Sequence, residues 1–299
     1  MKLEKVEDFL KGAKGVFPEL CQSRFSDNAT LVEFISNNKV DLSLQKLLSS
    51  LESDLNKYDK SLLLRIFITA NIISASESNT GINIKEIWKK IYESLMIVET
   101  DDIIASVGSQ GFLAIPLFRI EKESGDFYFL RLHIWSSDID SLINSENKNN
   151  LRIHTHQFFA NSWILCGEVF NTRYIVTPSS TETKYTLFDI KYNNSDKNKV
   201  KNNSIAINSN AFMNVEPREV ETYSSGGKYN IEADHFHMSE VNTKLEITST
   251  VFLFSHNGKK AEISRVLGPA GLKVSEINRL ENVNFVPFLS KIDQFLRDD

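Results

Sequence analysis

The sequence predicts a mainly β protein in which an antiparallel β-barrel follows an N-terminal helical region. Residues 1–104 carry apolar side chains at helical spacing, and Asn83 is a candidate helix cap. From about residue 105 the pattern changes to short apolar runs separated by turn residues. Short strands at regular spacing are typical of an antiparallel sandwich or barrel. We therefore expect a helical region at 1–104 and a β domain at 105–299.

The helical region divides into several candidate helices. Leu3, Val6 and Phe9 recur at helical spacing, and a leucine-rich segment at 42–55 has most of its leucines on one face. A strongly apolar helix is predicted from about residue 59 to 75, and a further one follows the candidate cap. The region either forms a bundle that covers the β domain or presents a surface to a protein partner.

The β region opens with a predicted hairpin. Strand-like runs at 112–120 and 127–135 flank a Ser-Gly-Asp turn signal. Arg131 and His133 alternate with leucines, so they share one strand face, which we expect to meet solvent. Further strand-like runs are LRIHTH, SWILCGEVF, TRYIVT, KYTLFDIKY, REVETY, YNIEADHF, KLEITSTVFLF and AEISRVL. Residues 192–210 are rich in Asn and Lys and predict a flexible surface insert, and the chain ends in a predicted helix.

Composition excludes several functional classes. The 299 residues are 41% hydrophobic and carry a net charge of −5 without clustered Lys or Arg, so we expect no nucleic-acid partner. The apolar runs are too short to cross a bilayer, and the N-terminus lacks the apolar core of a secretory signal. Cys21 and Cys166 cannot form a disulfide framework. These features favour a cytoplasmic protein without membrane contacts.

Two H-x-H pairs carry the strongest chemical signal. Four of the six histidines form the pairs His154/His156 and His235/His237. Residues i and i+2 of a strand point to the same face, so such a pair aims two imidazoles at one point. A third histidine from a facing strand completes a three-nitrogen site with open positions. We therefore predict that His154, His156 and His237 bind one divalent metal, with His235 as a neighbouring group or an alternative ligand.

The first H-x-H pair resembles the first motif of the cupin superfamily. In that motif an acidic residue and then a glycine follow the two histidines, the glycine eleven residues after the second. Here Gly167 stands at the glycine position, and Ala160 or Asn161 stands where the acid would be. The resemblance implies an antiparallel cupin (jelly-roll) β-barrel that holds a metal.

The third histidine fits the spacing of the second cupin motif, G-x5-P-x-G-x2-H. Gly226 takes the first position and His237 the last. Glu232 replaces the proline, and Asp234 replaces the second glycine. The spacing is kept, so the two motifs together imply the same fold and the same three ligands.

Three histidines without the acid resemble the iron site of the cysteine dioxygenase family, over about residues 112–256. This resemblance implies a non-haem iron(II) oxygenase, an oxidoreductase that acts with O₂ on a small carboxylate-bearing substrate. Arg119 matches the family arginine that binds the substrate carboxylate. The family's Ser–His–Tyr relay would fall at Thr250, Phe252 and Phe254, and the two phenylalanines cannot transfer a proton.

Several alternatives stay open at this point. Asn161, Trp163, Tyr229 and His235 join Arg119 as candidate substrate-binding residues, although aromatic residues of this kind also build cores. Fe(II) is the preferred metal, and Zn, Ni or Mn would serve a non-redox isomerase, lyase or hydrolase at the same site. A third alternative is a ligand-binding module without catalysis.

Overall fold

The computed structural model describes residues 3–37, 55–108, 110–121, 127–142, 151–192, 204–255, 261–277 and 279–298. The chain forms two compact units. The first comprises Met1–Ile104 with Ile115–Arg131, and the second comprises Ala105–Ala114 with Leu132–Asp299. One break between the units falls after Ile104, and Ile115–Arg131 groups with the helical residues of the first unit. No helix among the described residues has the length and apolar character needed to cross a bilayer.

The first unit contains the predicted helices. Its described helices are α1 (Leu3–Lys14), α2 (Asn28–Asn37), α3 (Lys57–Glu77) and α4 (Ile84–Met96), with 3₁₀ turns at Glu19–Arg24 and Thr100–Asp102. The Asn56 side chain caps α3, and Asn83 caps α4 by accepting a hydrogen bond from the Glu86 amide, as predicted. Apart from its last residue, the leucine-rich segment at 42–55 lies outside the described residues.

A polar cluster in the first unit gives Cys21 a structural role. The Cys21 thiol donates a hydrogen bond to Asp102 at 3.0 Å, and the Tyr58 hydroxyl donates to the same carboxylate at 2.6 Å. Burial and the hydrogen bond to Asp102 raise the pKa of Cys21 to about 11. This thiol stays protonated at neutral pH, so it is not a nucleophile.

The β elements are arranged in two antiparallel sheets. The strands and the remaining helices are β1 (Ser106–Val107), β2 (Leu113–Glu121), β3 (Phe127–Trp135), α5 (Ser137–Asp140), β4 (Phe159–Cys166), β5 (Glu168–Pro178), β6 (Tyr185–Tyr192), β7 (Ser204–Ser224), β8 (Lys228–Ile231), β9 (His237–Val241), β10 (Thr248–Ser255), β11 (Arg265–Pro269), β12 (Val274–Ile277), β13 (Leu280–Glu281) and α6 (Val286–Asp298). One sheet has the order β13-β1-β2-β3-β10-β4-β8 and the other β11-β6-β7-β5-β9, with β12 paired to β7.

The prediction of a mainly β protein with antiparallel strands and an N-terminal helical region is therefore confirmed at the level of two sheets. The predicted hairpin strands are β2 and β3, whose turn lies outside the described residues, and the predicted closing helix is α6. The prediction of a loop at 192–210 is wrong for the residues that the structure describes there. Tyr192 ends β6, and Ser204 begins the long strand β7. Residues 193–203 lie outside the described residues.

A shared apolar cluster joins the two sheets in the second unit. Ala160, Ile164 and Phe252 come from the first sheet, and Val169 comes from the second. Tyr229 and Ile231 in β8 complete the cluster. Burial of a large apolar side chain contributes roughly 1.5–3 kcal/mol to folding. The cluster therefore stabilises the packing of this face of the first sheet against the second sheet.

The segment before β4 departs from the sequence prediction. LRIHTH is not a regular strand, because only His154 within it forms β-bridges. One bridge joins His154 to His237 in β9, with main-chain hydrogen bonds of 3.0 Å in both directions. The other joins it to Val266 in β11. Since β9 and β11 end the strand order of the second sheet, this residue contacts both edges of that sheet.

Candidate metal centre

Three histidines converge in the second unit. His154 and His156 lie before β4, and His237 is the first residue of β9. Their ring centroids are 4.3 to 4.9 Å apart. One nitrogen of each ring lies within 4.8 Å of the other two, and the Nε2 atoms of His154 and His156 are 3.0 Å apart. The structure thus brings together the three residues that the sequence predicts as metal ligands.

Main-chain carbonyl groups orient two of the rings. His154 Nδ1 lies 2.8 Å from the Arg152 oxygen, and His237 Nδ1 lies 3.2 Å from the His235 oxygen. A carbonyl oxygen only accepts, so each Nδ1 carries the proton and donates it. Each Nε2 therefore keeps its lone pair. Metal-binding histidines are generally fixed in this way by a partner on the other ring nitrogen.

Burial keeps the imidazoles of His154 and His237 neutral. It lowers the pKa of His154 to about 4. Burial also lowers the pKa of His237 well below its usual value, and the neighbouring His154 lowers it further. At neutral pH both rings are in the form that binds a metal ion.

Aromatic rings of the first sheet surround one side of the group. Phe254 meets the His156 ring edge to face at 4.9 Å, and Phe252 does so at 5.9 Å. Both residues belong to β10, as does the fully buried Thr250. These are the three positions at which the resemblance places a Ser–His–Tyr relay. In this chain the three positions carry two apolar rings and one hydroxyl group.

Gln110 is a member of the group that the sequence did not single out. Its side-chain Nε2 lies 3.0 Å from His154 Nε2. The residue is in the turn between β1 and β2, where Gly111 has a φ of +86° and donates its N–H to the Gly108 oxygen at 3.1 Å. A lone glutamine beside a glycine in a polar turn carries no periodic signal, so only the fold could reveal it.

A row of rings links that turn to the histidines. Phe112 lies 4.3 Å from the His133 ring, which stacks on Phe252 at 4.9 Å. Phe252 in turn meets His156. His133 is 3% exposed, so the expectation that it faces solvent is wrong. The alternating pattern places His133 and Arg131 on one face of the strand. The sequence alone does not show which face of the sheet is covered by other residues.

Two predicted substrate-binding residues lie on the other face of β4. Ala160 and Ile164 point into the cluster that contains Phe252. Successive strand residues alternate between faces, so Asn161 and Trp163 point away from it. Both are buried. The structure does not bring them to the histidine group, and their role in binding a substrate stays a prediction.

The other predicted substrate-binding residues have separate surroundings. Tyr229 is buried in the cluster between the sheets and stacks on Tyr223 at 5.0 Å. His235 is exposed, and its main-chain oxygen, not its ring, holds His237. Its use as an alternative ligand has no support in this geometry.

Arg119 belongs to the first unit. Its guanidinium lies over the rings of Phe127 and Phe129, at 5.5 and 5.3 Å, and 3.9 Å from the Glu121 carboxylate. These rings and this carboxylate are in the same unit as the arginine. Its binding of a substrate carboxylate stays a prediction.

The motif positions that call for glycine share one backbone conformation. Gly167 has a φ of +81° and Gly226 a φ of +87°. Asp234, which stands where the second motif has its second glycine, has a φ of +61°. Left-handed backbone favours glycine over residues with a Cβ atom. The motif spacing therefore coincides with the places where the chain turns with a positive φ.

Comparisons with known proteins do not assign the chain to a family. No protein-family model matches it, and no curated protein does.

Proposed function

We propose that this protein is a metal-dependent enzyme of cupin type, in which His154, His156 and His237 bind one divalent ion. The observation that carries the proposal is the convergence of three imidazoles within 4.8 Å, two of them oriented by carbonyl groups on Nδ1. Orienting both rings leaves their Nε2 lone pairs available to a shared ion.

One pair of donor nitrogens has a spacing that suits a six-coordinate ion. Two nitrogens that are each about 2.1 Å from one ion lie roughly 3.0 Å apart at a right angle, and roughly 3.4 Å apart at a tetrahedral angle. The Nε2 atoms of His154 and His156 are 3.0 Å apart. We propose Fe(II) as the preferred ion, with Zn, Ni or Mn as alternatives.

The charge of the site favours an anionic substrate. Burial keeps His154 and His237 neutral, and a histidine binds an ion only in its neutral form, so three histidine ligands would leave the ion its full double positive charge. A small carboxylate-bearing molecule would bind such an ion directly. Iron(II), when bound, supplies redox chemistry towards O₂, and the reaction we propose is therefore an oxygenation.

The chain's own residues shape the medium of that reaction. Phe252 and Phe254 cover the His156 side of the group with apolar rings. Apolar walls exclude water, and they strengthen the attraction between the ion and an anionic substrate. Neither phenylalanine can move a proton, so any proton transfer in the proposed reaction would need another group, such as one on the substrate. This requirement distinguishes the proposed reaction from that of the family with the Ser–His–Tyr relay.

Two features support the cupin barrel as the finer description of the fold. The three glycine-type motif positions have φ values from +61° to +87°. The backbone of His154 bridges both edge strands of the second sheet, as a residue on the closing line of a barrel would.

The test begins with elemental analysis of the purified protein. The apo protein is then loaded with Fe(II) without oxygen, and O₂ uptake is screened with small carboxylic acids. One equivalent of iron with substrate-dependent uptake supports the proposal. A redox-inert metal without uptake would indicate an isomerase, lyase or hydrolase. Failure to hold any of Fe, Zn, Ni or Mn would indicate a ligand-binding module and overturn the proposal.

A further inference from the structure

We propose that Gln110 is a fourth metal ligand, through its side-chain Oε1, at the three-histidine centre. This inference rests on the proposed function, because it assigns one more position around the same ion. It concerns a residue outside both H-x-H pairs and outside both motif segments. The argument starts from the contact between Gln110 and His154.

The contact has a defined polarity without a metal. His154 Nδ1 donates to the Arg152 oxygen, so its Nε2 carries no hydrogen and accepts. Gln110 Nε2 lies 3.0 Å away and can donate an N–H to that lone pair, and His156 Nε2 also lies 3.0 Å from the same nitrogen. This is the same lone pair that a bound ion requires. The amide nitrogen cannot stay there, because a cation and an N–H group would then face each other.

Rotation of the amide by half a turn resolves the conflict. The two ends of a glutamine amide have nearly the same shape, so Oε1 can take the place that Nε2 occupies. A carbonyl oxygen is a good ligand for hard divalent ions. The separation also fits, because 3.0 Å is about the distance between adjacent ligand atoms of a six-coordinate ion.

The fold holds the glutamine in place. Gly111 makes the turn with a φ of +86°, and its N–H closes on the Gly108 oxygen. The next side chain, Phe112, stacks on His133, which stacks on Phe252 beside His156. The turn and the histidine group are thus attached to one row of rings. A ligand that is positioned before the ion arrives binds with less loss of conformational entropy.

A neutral fourth ligand has a chemical consequence. It stands in for the acid that the first motif lacks, but it leaves the ion with two positive charges. Three histidines and Gln110 occupy four of six positions. Two positions would remain, so a substrate that binds through one atom would leave room for the O₂ that the proposed oxygenation needs, whereas a chelating substrate would fill the site. We therefore infer that the substrate binds through a single atom.

The experiment uses Co(II) as a spectroscopic probe of the full-length protein. Apo wild type and the variants Gln110→Ala, Gln110→Glu and Gln157→Ala are titrated with Co(II) in competition with a chelator. X-ray absorption then counts the nitrogen and oxygen ligands. Gln157 is the matched control, because it follows His156 but its amide donates to the Glu262 oxygen at 2.7 Å. Melting temperatures are recorded for each protein.

Gln110→Ala should weaken Co(II) binding at least about tenfold and change the visible spectrum, with an unchanged melting temperature of the apo protein. Gln110→Glu should bind more tightly than wild type, because a carboxylate adds charge at the same position. Gln157→Ala should match wild type. Equal affinity and spectrum for Gln110→Ala and wild type would overturn the role of Gln110 alone. If wild type takes up no Co(II), both proposals fail. If Gln110→Ala does not fold, Gln110→Glu decides: binding no tighter than wild type would overturn the ligand role.

Discussion

His154 and His237 contact each other through both their backbones and their rings. Their backbones exchange hydrogen bonds of 3.0 Å in both directions, and their ring centroids lie 4.3 Å apart. The two residues are 83 positions apart in sequence, so the fold alone sets their separation. Because the backbone pairing fixes both Cα positions, the rings are close before any ligand arrives. A pair positioned in this way requires little reorganisation to bind an ion.

Removing a ligand should remove the metal. We expect His154→Ala and His237→Ala to bind less than a tenth of an equivalent after gel filtration, because two imidazoles do not hold a divalent ion as three do. His235→Ala is the matched control, since its ring is exposed and only its main chain holds His237. It should keep one equivalent. Metal content measured by atomic emission decides, and full occupancy in the first two variants would contradict the site.

The apo protein should lose stability as pH falls. Burial lowers the pKa of His154 to about 4, whereas a histidine in an unfolded chain titrates near about 6.5. Between these values the unfolded chain binds the proton and the folded chain does not, so stability decreases with falling pH. The loss from His154 approaches about 3 kcal/mol at pH 4 and is absent above pH 7.

Urea unfolding of the apo protein at several pH values between 4 and 7.5 measures this effect. His154→Asn is the comparison, because an amide does not titrate. The free energy of unfolding of His154→Asn should fall less over this pH range than that of the unchanged protein. The difference between the two losses should reach about 3 kcal/mol at pH 4. Parallel curves for the two proteins would show that His154 is not held neutral by burial.

Gly167 should tolerate no side chain. Its φ is +81°, and an added Cβ would lie 2.3 Å from Thr248 Oγ1 and 2.8 Å from the Ile247 oxygen. The strained backbone and the overlap together should cost about 3–4 kcal/mol in Gly167→Ala. Gly226 has a φ of +87° with no atom within 4 Å of the added Cβ, so Gly226→Ala should cost only about 1–2 kcal/mol. Equal losses in chemical denaturation would refute the packing argument.

Arg119→Lys separates the structural and binding roles of this residue. The guanidinium stacks near two phenylalanine rings, and an ammonium keeps the charge but not the planar contact. We expect a loss of about 0.5–1 kcal/mol in stability, with metal content unchanged. If Arg119 also binds a substrate carboxylate, affinity for carboxylate ligands should fall about ten- to a hundredfold. Calorimetry on one preparation gives both values, and unchanged ligand affinity would end the binding role.

The sequence predicts which three histidines come together better than it predicts the local structure around them. The H-x-H spacing suggests a strand with both histidines on one face, yet His156 lies in irregular backbone and only His154 forms bridges. The rings still converge because β9 and β11 hold the segment from both sides. Alternation along a strand is a local signal, whereas pairing to two distant edges depends on the whole sheet.

The residues around the ligands could not be predicted in the same way. Asn161 and Trp163 are close to His156 in sequence, but the register of β4 turns them to the opposite face from Phe252. Gln110 is 44 positions before His154 and contacts it. Distance along the chain is a poor guide here, because sheet pairing brings together residues from separate turns. Helix caps such as Asn83 were predictable because they depend on three neighbouring residues.

The double bridge at His154 determines how the histidine group can come apart. The residue is bonded to β9 through its own amide and carbonyl, and the adjacent Thr155 amide donates to the Arg265 oxygen in β11 at 2.8 Å. The His154 ring can turn about its side-chain bonds while this backbone stays paired, so an ion could enter or leave without opening these hydrogen bonds. Separation of the His154 and His237 backbones, in contrast, requires the hydrogen bonds to open. Amide deuterium exchange at Thr155 and His237 would report that opening on a timescale of minutes to hours.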